Sequence, residues 1–137
     1  MAVMATLDKR AVFEGAALAL AVTLPPVVLV RILHGDDMQG EESNLWFIAV
    51  LAVFAGFTLG GHRAAKRRPR EGYSNAAAAS ALAFVLILVY SVLRRGLSGD
   101  DLGLTFAVSM ALLGSITVSL GVLGGWIAVR MAQRRSQ

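Results

Sequence analysis

A chain of 137 residues is one domain's length, but 56% hydrophobic residues and a mean hydropathy of +0.65 exceed what a soluble domain of that size needs for its core. The formal net charge is +4, the pI is near 10.3, and there is no cysteine, which excludes disulfides, thiol chemistry and thiolate metal sites. The basic balance leaves two classes of anionic partner, nucleic acid and a membrane surface, and the order of residues chooses between them.

The chain begins with the short polar stretch "MAVMATLDKR". Residues 11–33 are then apolar except for Glu14, Thr23 and Arg31. This run is too long for a signal-peptide core, so it is expected to be a retained membrane span. Glu14 is a candidate ionisable site, since a carboxylate inside a span is costly unless matched. Arg10 lies four residues earlier and a helix N-terminus favours negative charge, so the first reading is a structural glutamate paired with Arg10, with a proton or cation site as the alternative. Pro25 and Pro26 are expected to bend or unwind the far half of this span, because they remove two backbone donors and clash with carbonyls a turn earlier. Thr23 is expected to bond one freed carbonyl, and Arg31 to reach Asp36 or Asp37. A hinge or binding cavity beneath the bend is the functional reading of the same prolines.

An acidic stretch with Asp36, Asp37, Glu41 and Glu42 leads into a second apolar run, residues 44–61. Here Ala49, Ala52, Gly56 and Gly60 fall on one helical face. Next comes "LGGHRAAKRRPREGYSNAAAAS", which carries Arg63, Lys66, Arg67, Arg68 and Arg70 between two apolar segments. The third run, residues 73–93, and the fourth, residues 102–129, flank Asp100 and Asp101. In the fourth run Gly114, Thr117, Gly121 and Gly125 repeat the spacing of the second. Each run reaches or approaches the roughly 20 residues that cross a hydrocarbon core. The expected architecture is thus an all-α integral membrane protein, a single four-span domain over residues 1–137 forming a four-transmembrane-helix bundle.

The small residues suggest how the spans pack. Gly56 with Gly60 and Gly121 with Gly125 form G-x-x-x-G pairs, which allow close backbone approach where lipid offers no hydrophobic driving force. "LGGHRAAK" can be laid on "LGGWIAVR", pairing Gly60 and Gly61 with Gly124 and Gly125. The stripes align at an offset of 65 and the LGG segments at 64, so two tandem helical hairpins are a candidate organisation rather than a gapless repeat.

Charge predicts orientation. With the amino terminus in the cytoplasm, ten of the thirteen basic residues fall on that side and only Arg31, Arg94 and Arg95 on the other. Trp46 and Tyr90 then sit toward outer span ends, and Trp126 and Tyr73 at inner ends. The expectation is a multi-pass plasma-membrane protein with both termini cytoplasmic and its basic segment against anionic headgroups. That segment lacks interleaved aromatic residues and any nucleic-acid-reading module, so no nucleic-acid partner is expected. His34 and His62 lie at opposite span ends and cannot share a metal, and no G-x-S-x-G, H-E-x-x-H or phosphate-cradling loop is present. No enzyme activity, cofactor or metal is expected.

The order of a Gly-Gly ending the second span, a basic segment, Gly72 and Asn75 opening a small-residue third span, and "LGVLGGWIAVRMAQRR" closing the fourth resembles a family of short, uncharacterised four-span bacterial membrane proteins. The resemblance covers nearly the whole chain and implies a bacterial inner-membrane protein of four helices, without implying a reaction or ligand. Four spans with a carboxylate in the first also look like the small multidrug resistance transporters, which use such a residue to exchange protons for cationic drugs. Glu14 lies only about one turn inside its span, and the long acidic first loop departs from that compact form. The leading expectation is therefore a protein acting through helix–helix contacts, as a homo-oligomer or an accessory subunit of a membrane complex. The alternative is a minimal proton- or cation-coupled transporter or channel using Glu14.

Overall fold

The structure, a computed structural model, describes residues 7–34 and 45–137. Asp36, Asp37, Glu41 and Glu42, and with them the expected partners of Arg31, lie outside the described residues, as do the side chains of His34 and Trp46. Four helices follow in chain order: α1 (Lys9–His34), α2 (Leu45–Arg67), α3 (Gly72–Ser98) and α4 (Leu104–Arg135). Among the described residues there is no strand. All four helices are long and apolar enough to cross a membrane, as in a multi-pass membrane protein. Helices suit that role because each satisfies its own backbone groups without water.

Capping and termination depart from the apolar pattern in instructive ways. Asp8 opens α1, its Oδ1 accepting the backbone N–H groups of Arg10 (3.1 Å) and Ala11 (3.2 Å), the arrangement of a helix N-cap. α1 then stays helical through Pro25 and Pro26, so the unwinding expected there does not occur. The Thr23 hydroxyl reaches not its own helix but the Ala52 carbonyl of α2, at 3.5 Å. It can do so because Thr23 lies over Gly56, where no side chain intervenes. α2 and α4 outrun their apolar stretches, ending at Arg67 and Arg135 rather than near Gly61 and Val129. Arg63, Lys66 and Arg67 are therefore helical, and basic residues in a last turn are favoured by the helix dipole. Only Arg68 and a 3₁₀ turn (Pro69–Glu71) join α2 to α3. Gly99 closes α3 in the left-handed region, at φ 74°, with its N–H on the Arg95 carbonyl.

Successive helices run antiparallel, so Lys9, Arg67, Gly72 and Arg135 share what is called here the basic end. α2 and α3 each touch all three other helices, whereas α1 and α4 do not meet among the described residues. Within each hairpin the helices interlock in the same register. In the first, Gly15, Ala19 and Thr23 face Gly56 and Gly60; in the second, Gly72, Ala76 and Ser80 face Gly121 and Gly125. A Cβ on Gly60 would lie 2.6 Å from the Gly15 carbonyl oxygen and 2.8 Å from the Ala19 Cβ. One on Gly125 would lie 2.7 Å from the Ala76 Cβ and 3.3 Å from the Gly72 carbonyl oxygen. Gly56 therefore corresponds to Gly121 and Gly60 to Gly125, the offset of 65 that the stripes have in the sequence. A two-fold axis relating whole hairpins would need α1 against α4 as α2 lies against α3. Since α1 and α4 stay apart, the equivalence holds within the hairpins and not between them.

Two other glycines join the hairpins. Gly61 lies against the backbone of Gly121, and a Cβ on Gly124 would press on the Thr58 carbonyl and lie 2.9 Å from the His62 nitrogen. The half of the bundle toward the basic end is thus closed by glycine and alanine, with Ala11, Ala64, Ala65 and Ala76 fully buried. Near mid-bundle Phe57, the largest fully buried side chain, packs among Ala16, Ala19 and Ala83.

Candidate functional site

Beyond the Phe57 layer the side chains change from small to large and the helices part. Leu20, Thr23, Leu24, Val27 and Val28 of α1, Val53 and Phe57 of α2, Phe84, Leu86, Ile87, Tyr90 and Ser91 of α3, and Leu113 and Thr117 of α4 enclose a cavity of about 520 Å³. That volume lies within the roughly 300–1,000 Å³ typical of small-molecule pockets. Buried Thr23, Phe57 and Thr117 form its inner part, while half-exposed Leu24 and Val28 on α1 and Leu86 and Tyr90 on α3 mark a lateral mouth between those helices. Pro25 and Pro26 fall in sequence between the lining residues Leu24 and Val27 but do not themselves line the cavity.

The wall offers almost no polar valence. The Thr23 hydroxyl is directed to the Ala52 carbonyl, Thr117 donates to Gly114 (3.0 Å) and Ser91 to Ile87 (2.8 Å). With those donors committed to backbone, the interior presents carbon, and only Tyr90, 61% exposed at the mouth, carries a phenol toward the opening. Nothing in such a wall would replace the hydration shell of an ion or a sugar, so the space suits an apolar molecule.

Glu14 lies elsewhere, at the basic end. Its carboxylate meets Arg67 (Nη2, 2.8 Å), Arg10 (Nε, 3.3 Å) and Arg63 (Nη2, 3.6 Å). The expected Arg10 pair is present, and two guanidinium groups from α2 join it. Beside this cluster the Arg68 Nε lies 3.5 Å from the Asp8 carboxylate, and the Asp8 N–H donates to the Oδ1 of fully buried Asn75 (3.1 Å). α1, α2 and α3 are thereby tied together at one end by polar contacts. His62 and the backbone of His34 fall at opposite ends of the bundle, and no group of side chains able to hold a metal occurs among the described residues.

No protein-family model, curated protein or solved structure matches this chain.

The helix-packing glycines are all used inside the chain: Gly56 and Gly60 against α1, Gly61 against α4, Gly124 against α2, and Gly121 and Gly125 against α3. The sequence reading gave no structural role to Asp8 and placed Asn75 only at the start of the third span, without its contact to Asp8. An aspartate immediately before an apolar run is a helix-start signal, so Asp8 was legible, whereas its link to Asn75 spans 67 residues and was not.

Proposed function

We propose that the protein is a non-enzymatic membrane protein that holds an apolar, chain-like molecule, a lipid acyl chain, in the lateral cavity between α1 and α3. The observation that carries this reading is the wall itself: about 520 Å³ lined by carbon, open sideways between α1 and α3 where those helices would face hydrocarbon. The small-residue stripes, from which contact with other chains was expected, are taken up within the monomer. A second copy or a partner subunit would have to dock on other faces. Three arginines around Glu14 favour a structural role for that carboxylate over proton or cation exchange. The basic asymmetry supports a plasma-membrane protein with both termini cytoplasmic, which puts the cavity in the outer leaflet. The shared interlock of the two hairpins supports their origin in a duplicated hairpin.

The test is photo-crosslinking in bilayers that contain a phospholipid with a photoactivatable acyl chain. Crosslinks should concentrate on Leu24, Val28, Leu86 and Tyr90, and Val53→Phe, which fills the cavity, should reduce them several-fold. Labelling spread evenly over lipid-facing residues such as Leu51 and Leu112, and unchanged by Val53→Phe, would refute the assignment.

A further inference from the structure

The positive charge at the basic end is not uniform. Arg10, Arg63 and Arg67 are matched by Glu14 and Arg68 by Asp8, so four cations are committed within the fold. Lys66, Arg130, Arg134 and Arg135 have no carboxylate within 4 Å among the described residues, and neither α2 nor α4 contains an acidic residue. Lys66 and Arg135 meet at a depression on the α2–α4 seam, while Arg130 and Arg134 line a second depression on α4 alone, joined to the first through Met131. The first, about 80 Å³, is bounded by His62 and Lys66 from α2 and Arg135 from α4, over a floor that includes Ala128 and Ala132. The second, about 350 Å³, runs along α4 between Trp126, Arg130 and Arg134.

The level of this groove matters as much as its charge. Trp126, 42% exposed, sits on the apolar stretch of α4, and the Arg130 guanidinium stacks 4.8 Å from its ring centroid. An amphipathic ring of this kind settles at the boundary between hydrocarbon and headgroups, so Arg130 one turn on and Arg134 two turns on stand at phosphate depth. Small residues in the floor let an anion approach both helices, and the half-buried His62 adds a ring nitrogen beside Lys66. Basic pockets between spans are a recurring way to hold lipid phosphates.

We infer that the α2–α4 groove is a binding site for the headgroup phosphate of an anionic phospholipid, held by His62, Lys66 and Arg135 with Arg130 and Arg134 alongside. The site is separate from the cavity of the preceding proposal, lying at the other end of the bundle and on other residues. It takes a lipid rather than a free phosphate because the cations begin at the aromatic boundary, where a bound headgroup leaves its chains along the apolar surface of α4.

The experiment uses the full chain in phosphatidylcholine bilayers with trace spin-labelled lipids, comparing association of the phosphatidylglycerol and phosphatidylcholine labels. The wild type should prefer the anionic label. Lys66→Gln with Arg135→Gln should lower that preference by about fivefold for each residue removed, the effect of one basic residue near an anionic lipid surface. Lys9→Gln with Arg70→Gln removes two charges from the same end, outside the groove, and should change the preference far less. Arg134→Gln with Arg135→Gln, both in the last turn of α4 and exposed, provides a variant that leaves the helix seams intact and should also lower the preference. Equal losses in the seat and control pairs would overturn the site in favour of diffuse surface charge. Abolition of the wild-type preference by millimolar inorganic phosphate would overturn the lipid assignment in favour of a free anion.

Discussion

Replacing Gly60 and Gly96 by alanine makes the same chemical change in two helices and should have opposite effects. In an exposed helix, alanine is favoured over glycine by about 0.5–1 kcal/mol, because glycine loses more backbone freedom on folding. At Gly96 a Cβ meets nothing within 4 Å, so this gain should appear unopposed. At Gly60 the new Cβ would lie 2.6 Å from the Gly15 oxygen and 2.8 Å from the Ala19 Cβ, neither of which can rotate away. Restoring an ordinary separation of about 3.5 Å requires α1 and α2 to part by about 1 Å, and a gap of that size forfeits a quarter to a half of each contact along the seam. Overpacking of this kind costs roughly 1–3 kcal/mol, so after the alanine gain of about 0.5–1 kcal/mol the net loss reaches up to about 2.5 kcal/mol. Denaturation by sodium dodecyl sulfate in mixed micelles, followed by tryptophan fluorescence, should show Gly60→Ala unfolding at lower detergent fraction than wild type, with Gly96→Ala at or above it. A Gly60→Ala protein as stable as Gly96→Ala would refute the close α1–α2 contact and the register built on it.

Glu14→Gln leaves three guanidinium groups without their shared anion and should cost about 1–2 kcal/mol, more than the roughly 0.3–0.5 kcal/mol of a lone exposed helical pair, with the difference shrinking at high salt. Proton or cation flux through wild-type liposomes that this one change abolishes would instead establish Glu14 as a transport site. A reporter active only outside the cytoplasm should be silent when fused after Gln137 and active when inserted near Gly99, and the reverse pattern would invert the orientation drawn from the basic asymmetry.

Along this chain, what one helix needs was already written in the residues. Four apolar runs of near-spanning length specify four helices, because a span needs only continuous apolar length and its own backbone bonds. Spacings of four likewise mark the faces of Gly56 and Gly60 and of Gly121 and Gly125, and put Arg10 beside Glu14. Which neighbour each face meets is a different question, and only the assembled bundle answers it. Gly60 and Gly61 are adjacent in sequence, yet a step of one residue turns about 100° around a helix, so the first lies on α1 and the second on α4. Arg63 and Arg67 reach Glu14 across some fifty residues of chain, and Asn75 meets Asp8 the same way. The lateral cavity is the clearest case. It arises because small residues draw four helices together on one side of Phe57 while larger ones hold them apart on the other, a difference in helix separation that no single helix contains.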